Sequence, residues 1–447
     1  MQSRKDHVQA YQFSTARLSS ALVAGDALAA ESPLRRSGMG SAIGAMLAVL
    51  GCAGAFVYGL ISPGGNTTWQ APRTIVVEKE TGNRYLYIDG VLRPTLNTAS
   101  AMLYFGGGGG APVFRSVSQA SLAGVPHGPA VGIPGAPDSV PQTMLPAEWS
   151  LCAVPGRTDP RMSVGLGPAP SSTPLPGDQR LVVAGADGTT HVVWRGTEYP
   201  VASPAVLAAL GLGDVAPVVV PDPWLAALAH GPRLAPPDVP GAGSPGPAIG
   251  GAAARVGQVF DVTVAGTRQS YLLRTDGLAA LSPTAAALLA ARPGTAPSRE
   301  IMPADAAAVP ASADRSLLTD LPDLAGAGTF RPGTDAVCVH QVSRDGDIAP
   351  GTVATEPLPA GPREDGARVV PGTGMLAAAL PKPGPGGQPR LYLITDQGER
   401  FPVSAAGARA LVPGAAPAWL PAAVLAALPT GPALPTGPAI LTAQGGQ

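Results

Sequence analysis

One stretch of the chain is apolar and carries no charge. Residues 39–61 are 23 uncharged residues, and a helix rising about 1.5 Å per residue would extend them over roughly 35 Å, enough for a bilayer core of about 30 Å. The pattern predicts a transmembrane helix over residues 39–61. A cleaved signal peptide is less favoured because the segment begins late and is long. A lipoprotein site at Cys52 is less favoured because apolar or small residues continue to Ile61.

Basic residues are concentrated on the N-terminal side of this span. Arg35 and Arg36 come just before it, and the next basic residue after it is Arg73. Three others lie further upstream: Arg4, Lys5 and Arg17. By the positive-inside rule the N-terminus is cytoplasmic and the C-terminal region extracytoplasmic. We therefore expect a single-pass protein of the plasma (inner) membrane.

Small residues recur at every fourth position of the predicted span. One ridge carries Gly40, Gly44, Ala48 and Cys52, and a second carries Gly51, Ala55 and Gly59. Ridges of this kind let helices approach closely in lipid, and we interpret them as packing surfaces. The alternative is that transmembrane helices are simply rich in Gly and Ala.

The N-terminal segment can form a helix of its own. Residues 5–28 mix apolar and polar positions in the manner of an amphipathic helix that ends near Gly25. Such a helix needs a partner or a membrane surface to cover its apolar face. A frayed tail is the alternative. The residues predicted to dock a partner are Val8, Tyr11, Phe13, Leu18 and Leu22.

Beyond the span, a pattern of short strands and tight turns recurs with a period of roughly 80–120 residues. Asp-Gly between apolar runs is a strong hairpin signal. Ser203-Pro204 and Ser282-Pro283 then predict helix starts. The four copies begin at residues 84–90, 180–188, 270–277 and 390–398.

Copies two and four share a further helical segment. We match Trp224 with Trp419, and the segments close with Gly231-Pro232 and Gly431-Pro432. The first copy closes with Gly128-Pro129, whereas the third lacks both the Trp and the Gly-Pro pair. Each copy is too small to bury a core alone, so the copies must pack on one another or on a shared centre.

The pattern as a whole predicts an α+β chain. Tracts rich in Gly and Pro at residues 106–110, 165–177, 239–251 and 381–387 are expected to be exposed loops or linkers. The predicted organisation is a cytoplasmic segment at 1–38, the span at 39–61, repeat 1 at 62–131, a first segment of the central domain at 132–178, repeat 2 at 179–243, repeat 3 at 252–310, a second segment of the central domain at 311–388, and repeat 4 with a C-terminal tail at 389–447.

Composition narrows the class of protein. With 58 Gly and 52 Pro among 447 residues, the chain is neither a coiled coil nor a bundle of long helices. A formal net charge of -1 leaves no basic surplus for binding nucleic acid. Cys152 and Cys338 each lie in a short apolar run, and on the oxidising side of a membrane they would form one disulfide. Two reduced, buried cysteines are the alternative.

Catalytic motifs are missing from the sequence. The three lysines lie outside any P-loop motif, the five histidines are dispersed without zinc-site spacing, and no G-x-S-x-G occurs. We therefore expect no catalytic, cofactor-binding or metal-binding site, and no enzyme. The rival interpretations are a cell-envelope module that binds peptidoglycan and a hydrolase whose site is assembled from distant residues.

Several ordered segments resemble one known family. They are residues 4–13 (RKDHVQAYQF), 35–36 (RR), 77–85 (VEKETGNRY), 96–101 (LNTASA), 116–118 (SVS), 126–129 (PHGP), 131–138 (VGIPGAPD) and 149–152 (WSLC). This N-terminal third is similar to the EccB family, a core membrane component of the type VII (ESX) secretion machinery of actinobacteria. After about residue 155 the resemblance rests on the repeats and Cys338.

The resemblance implies a fold and a function. It implies four small α/β repeats in quasi-twofold arrangement around a β-rich central domain with a disulfide, here Cys152–Cys338. It also implies a homo-oligomer that assembles with an FtsK/SpoIIIE-type ATPase subunit, a multi-spanning channel subunit and, nearby, the mycosin protease. Weak ATP hydrolysis is proposed for some members, but no motif in this sequence supplies it. We expect a structural, non-enzymatic subunit.

Overall fold

The computed structural model describes residues 4–25, 34–61, 67–106, 110–156, 162–357 and 366–442. Most of the predicted loop at 106–110 and the last residues of the predicted N-terminal helix, 26–28, lie outside these ranges. The chain forms two compact units, which we describe separately. The smaller comprises residues 1–71, 78–82 and 116–125, and the larger comprises the remainder.

The described residues form short helices and strands in alternation, apart from two long N-terminal helices. The α-helices are α1 (Arg4–Ala24), α2 (Leu34–Ile61), α3 (Thr98–Tyr104), α4 (Gln119–Leu122), α5 (Pro204–Ala209), α6 (Asp222–Ala226), α7 (Pro283–Ala290), α8 (Pro303–Ala307), α9 (Ser316–Thr319), α10 (Ala405–Leu411), α11 (Ala422–Ala426) and α12 (Ala439–Thr442). The strands are β1 (Thr74–Glu78), β2 (Arg84–Ile88), β3 (Val91–Pro94), β4 (Val113–Val117), β5 (Thr143–Met144), β6 (Glu148–Ala153), β7 (Ser163–Leu166), β8 (Thr173–Pro174), β9 (Gln179–Ala184), β10 (Thr190–Trp194), β11 (Thr197–Pro200), β12 (Val218–Val219), β13 (Ala229–His230), β14 (Val259–Val264), β15 (Thr267–Arg274), β16 (Gly277–Ala280), β17 (Arg299–Glu300), β18 (Gly328–Thr329), β19 (Ala336–Arg344), β20 (Asp347–Ile348), β21 (Thr352–Glu356), β22 (Gly366–Arg368), β23 (Thr373–Ala379), β24 (Leu391–Ile394), β25 (Arg400–Val403) and β26 (Ala418–Leu420).

In the smaller unit, both predicted N-terminal helices are present. The helix α1 ends at Ala24, and Gly25 follows with φ +64°, a left-handed conformation that glycine adopts at little cost. Within α2, the segment Gly38–Gly59 is long and apolar enough to cross a membrane, and each of its residues is exposed. The larger unit contains most of repeat one, repeats two to four and the central sheet.

All four repeats share one frame. Each has three antiparallel strands and a helix, followed by a short strand, a second short helix and a closing segment. The sheets run β3-β2-β1-β4, β12-β9-β10-β11-β13, β16-β15-β14-β17 and β25-β24-β23-β26, and β18 and β5 add to the second and fourth. The closing segments join the third strands in parallel at matching pairs: Leu92 with His127, Glu198 with His230, Leu278 with Ala311, and Arg400 with Thr430.

The Gly-Pro closures have a packing explanation. A Cβ on Gly231 would lie 2.3 Å from Cε1 of Tyr199, and a Cβ on Gly431 would lie 2.2 Å from Cε1 of Phe401. The aromatic ring on the third strand thus excludes any side chain at the closure. In the third repeat the corresponding position on the strand is Ala279, which leaves room for the side chain of Ser312 at the closure. The backbone hydrogen bond is still present, because the Ser312 amide donates to the Leu278 carbonyl at 2.9 Å.

The frame also corrects the sequence alignment of the copies. Residues 180–183 lie in β9, the first strand of its repeat, whereas the starts at 84, 270 and 390 correspond to second strands. Trp224 is buried in α6, and its counterpart in α11 is Val424 rather than Trp419. Trp419 lies in β26, half-buried, with Lys382 Nζ 5.3 Å from its ring centroid. The fourth sheet also takes in β23, so it extends across the predicted boundary at residue 388.

The central sheet has the order β22-β7-β6-β19-β21-β8, with β20 paired to β19. Its strands come from the two stretches between the repeats. One face packs against repeats two and four, where Trp224 Nε1 donates a 3.1 Å hydrogen bond to the Val337 carbonyl. Repeat one shares a core with repeat four, and repeat two shares a core with repeat three.

Two of the tracts expected to be exposed loops are partly structured. In residues 239–251, Val239 and Ile249 are buried in two separate cores of repeat three. In residues 165–177, Gly165 and Leu166 belong to β7, and Leu166 is buried. The tract at 381–387 is exposed, as expected.

Candidate functional site

The predicted disulfide is present at the middle of the central sheet. Cys152 on β6 and Cys338 on β19 are direct cross-strand partners, with their Cα atoms 4.0 Å apart and a sequence separation of 186. Both are buried. Each cysteine lies in a strand, as the apolar runs around it predicted. The bond ties together the two chain segments that build the central sheet.

A polar cluster surrounds this disulfide on the same face of the sheet. Cross-strand register puts Arg368, Gly165, Ser150 and His340 in one row across four strands. Alternation along a strand then places Ser150 beside Cys152 and His340 beside Cys338. The opposite face of the same strands carries the apolar core, so the sheet has one dry face and one polar face.

Glu356 is the centre of the cluster. Its side chain is only 4% exposed, Arg368 Nη2 forms an ion pair with Oε2, and His340 Nε2 lies 3.1 Å from Oε1. Burial by itself would raise the pKa of this carboxyl. The contacts with His340 and Arg368 outweigh burial and lower the pKa of Glu356 to about 2. The carboxylate is therefore charged at every physiological pH.

Glycine at position 165 makes this arrangement possible. A Cβ there would lie 2.4 Å from Ser150 Oγ and 3.0 Å from Arg368 Nη2. Any larger residue would displace the guanidinium from its path across β7. The sequence pattern assigned Gly165 to an exposed loop. Only the strand pairing shows that it lies under the Arg368 side chain.

The chemistry open to this cluster is limited. The two sulfur atoms and a carboxylate oxygen of Glu356 lie within 4.8 Å of one another, which is close enough for a common metal ion. The sulfurs are bonded to each other, however, and supply no thiolate ligands. Ser150, Glu356 and Arg368 line a cavity of about 440 Å³ beneath the proline-rich loop at 168–171. Since Glu356 is already paired, it is not a free general base.

A second polar cluster lies in repeat two. Glu198, whose side chain is 6% exposed, accepts hydrogen bonds from Nδ1 of His191 and Nδ1 of His230, both at 2.6 Å. The sequence showed these histidines as dispersed, because they are 39 residues apart. The closing segment brings His230 to the third strand next to Glu198. The closing segment of repeat two is therefore joined to the third strand by a side-chain hydrogen bond as well as by backbone pairing.

The docking residues predicted on α1 do not share a single face. At about 100° per residue, Val8, Tyr11, Leu18 and Leu22 fall within one arc of roughly 80°. Phe13 lies on the opposite side, where the Arg17 guanidinium is 6.0 Å from its ring centroid. All five are exposed in the structure. We call Val8, Tyr11, Leu18 and Leu22 the α1 stripe.

The small residues predicted to pack in the membrane do share a face. At the same angular step, all six fall within one arc of roughly 100° on α2. Among the described residues, this face has no atom within 4 Å of a Cβ built on any of its four glycines, apart from the nearby backbone of α2 itself. Its members are Gly40, Gly44, Ala48, Gly51, Ala55 and Gly59.

Comparison with known proteins decides the family. The chain matches, over residues 1–445, the family model described as type VII secretion system ESX-1, transport TM domain B, the EccB family. The chain belongs to this family. The resemblance drawn from its N-terminal segments is therefore confirmed, and it extends through the repeats.

Curated relatives agree with this membership. The chain is 30% identical to "ESX-3 secretion system ATPase EccB3" of Mycobacterium tuberculosis over 310 residues, which cover 64% of this chain and 56% of the relative. It thus spans little more than half the length of that relative. It is 27% identical to "ESX-1 secretion system ATPase EccB1" of the same organism over 425 residues, which cover 89% of this chain and 86% of the relative.

Solved structures resemble this EccB-family chain along most of its length. A chain of an intact ESX-5 inner membrane complex aligns with a TM-score of 0.59 at 26% identity, covering 97% of this chain and 94% of that one. A chain of an EccB3 dimer from an ESX-3 core complex aligns with a TM-score of 0.56 at 25% identity, covering 81% and 98%. The mixed α+β fold with a large β-rich region is therefore that of the EccB family.

Proposed function

We propose that this protein is a structural subunit of an ESX type VII secretion inner membrane complex. The observation that carries the proposal is the alignment of 97% of the chain with a chain of the ESX-5 inner membrane complex. In this proposal α2 crosses the plasma membrane, the N-terminus is cytoplasmic, and the repeats assemble outside the cell. The basic residues before α2 and the disulfide beyond it both support this orientation.

Two surfaces would hold the complex together. We assign the α1 stripe to docking of the cytoplasmic FtsK/SpoIIIE-type ATPase subunit, because four apolar side chains are exposed along one face of a helix. We assign the small-residue face of α2 to close packing against another transmembrane helix, from a second copy or from the multi-spanning channel subunit. The repeats would form the oligomeric assembly outside, near the mycosin protease.

The role we propose is non-enzymatic. The relatives carry "ATPase" in their names, but this sequence has no P-loop lysine to hold phosphates. The buried carboxylate on the central sheet forms an ion pair with Arg368 and is not free to act as a base. A wall-binding role has no particular observation in its favour, and sedimentation with purified cell wall would reveal it.

Co-purification of the tagged full-length chain tests the proposal. We expect the other membrane subunits of the secretion complex to co-purify, and deletion of the gene to abolish export. Leu18→Ser on the α1 stripe should release the ATPase subunit, whereas Phe13→Ser, on the opposite side of the helix, should retain it. A lone monomer in detergent, together with normal export after deletion, would contradict the proposal.

The α2 face has its own matched pair of variants within the same experiment. Ala55→Leu fills the small-residue face and should loosen the complex on a native gel. Ala53→Leu adds the same volume on the other side of the helix and should leave the complex intact. Equal effects of the two variants would argue against a packing role for this face.

A further inference from the structure

We propose that the carboxylate of Glu356 protects the Cys152–Cys338 disulfide from reduction by thiols. The carboxylate of Glu356 lies close to the disulfide bond, because one of its oxygens and both sulfurs are within 4.8 Å of one another. Backbone pairing of β21 with β19, with Ala336 opposite Glu356 and Cys338 opposite Ala354, fixes that distance. No catalytic role is involved.

The chemistry of reduction explains why a fixed negative charge matters. A thiolate attacks one sulfur, the S–S bond breaks, and its electron pair leaves on the other sulfur as a cysteine thiolate. A second thiolate then releases the mixed disulfide, so that the small thiol is oxidised to its disulfide and both cysteines take up protons. Both the attacking group and the leaving group are anions next to Glu356, and the carboxylate disfavours each of them.

Arg368 is the counter-charge of this carboxylate. Its Nη2 atom pairs with Glu356 Oε2 and would lie 3.0 Å from a Cβ on Gly165 of β7, while a Glu356 oxygen is within 4.8 Å of both sulfurs. Arg368 and His340 keep the carboxylate ionised despite its burial, and the low pKa of Glu356 agrees with this.

The test compares a charged reductant with a neutral one on the full-length protein in detergent. In a Cys52→Ala background, the reduction rate is measured with dithiothreitol, which attacks as a thiolate, and with tris(hydroxypropyl)phosphine, which is uncharged. Alkylation with a mass-tagged maleimide reports the freed thiols. The ratio of the two rates separates charge from access, because local opening of the sheet speeds both reductants equally.

We expect Glu356→Gln to raise the thiol-to-phosphine ratio about tenfold, since it removes a unit charge about 5 Å from the reacting sulfurs. Glu148→Gln is the matched control. Glu148 is on the same strand as Cys152 but four residues away, roughly 13 Å along β6, and its variant should leave the ratio unchanged. An equal increase with both reductants, or no change in the ratio, would overturn the proposal.

A second measurement needs no variant and remains decisive if Glu356→Gln does not fold. The Cys52→Ala protein is reduced with cysteamine, which is cationic, and with mercaptoethanesulfonate, which is anionic. Each rate is divided by the rate of the same thiol on a small exposed disulfide. We expect cysteamine to be favoured by about tenfold. Equal normalised rates would mean that no negative charge guards the bond.

Discussion

Repeats two and three share a backbone frame but hold it closed by different means. In repeat two the ring of Tyr199 fills the core and forces glycine at position 231. In repeat three the corresponding strand position is Ala279, the closure is Ser312, and Val239 and Val256 from the preceding tract complete the core. In repeats two and four the Gly-Pro closure therefore reports the packing of an aromatic ring, and the fold does not depend on it.

A buried carboxylate gives a second contrast between these repeats. Asp261 in repeat three is almost fully buried. It accepts a 2.6 Å hydrogen bond from Ser270 and forms an ion pair with Arg268. The strand registers place Ala184 at the same position in repeat two. In repeat two the buried carboxylate is instead that of Glu198, which lies at the closure and accepts hydrogen bonds from the two histidines.

The largest effect is expected from Gly231→Ala. Its new Cβ would overlap the buried Tyr199 ring, so the variant should lose about 2–3 kcal/mol of stability in repeat two. Hydrogen exchange resolved by repeat would show faster exchange in β11 and β13. Ser312→Ala, the matched change in repeat three, should cost less than about 0.5 kcal/mol. Similar losses in both variants would refute the ring explanation.

Ala279→Phe should create in repeat three the steric requirement of repeat two, in which an aromatic ring on the third strand excludes a side chain at the closure. A ring at this position would collide with Ser312 and with the valines that fill the core, at a cost of about 2 kcal/mol. Adding Ser312→Gly should recover about 1 kcal/mol, because the glycine makes room for the ring. Thermal unfolding of the single and double variants gives the coupling. If the second change brings no recovery, strand and closure positions are not coupled.

Asp261 should make repeat three more sensitive to acid than repeat two. Burial by itself would raise the pKa of Asp261, but bonds from Arg268 and Ser270 outweigh it, so the pKa falls below its usual value of 3.8. A lowered pKa contributes stability that is present above about pH 4 and is lost as the pH falls through the folded-state value. Hydrogen exchange between pH 7 and pH 3 should therefore show greater loosening in β14 and β15 than in β9 and β10.

The variant Asp261→Asn tests this assignment. At pH 7 it should cost repeat three about 1–2 kcal/mol, because it removes the charge that Arg268 pairs with. It should also abolish the extra acid sensitivity of that repeat. Acid sensitivity that persists in Asp261→Asn would assign the effect to another group.

Much of the architecture could be predicted from the sequence, because many helices and strands are determined by residues that are close together in the chain. The uncharged run at residues 39–61, the apolar strands around Cys152 and Cys338, and the Ser-Pro helix starts each depend on neighbouring residues alone. Ser282 caps α7 by accepting a 3.1 Å bond from the Ala285 amide, as its position before Pro283 predicted. The alignment of Trp224 with Trp419 failed because two aromatic residues were matched without a strand register to fix their spacing.

The polar cluster on the central sheet is the opposite case. Ser150, Gly165, His340, Glu356 and Arg368 come from five strands and span more than 200 residues of sequence. Alternation along β6 and β19 could have placed Ser150 with Cys152 and His340 with Cys338. Nothing local indicates that Glu356 and Arg368 would join them, since that follows from which strands become neighbours.

The sequence by itself indicated the family, through the ordered segments of its N-terminal third. It also determined the long apolar helix α2 and the count of repeats, because hydrophobic spacing and turn residues act over a few positions. The tertiary structure alone decided which repeats share a core, which face of the central sheet is polar, and why the closures of repeats two and four require glycine whereas repeat three has serine. Those features arise where segments far apart in the chain exclude each other's volume or neutralise each other's charge, and single positions carry no record of such pairings.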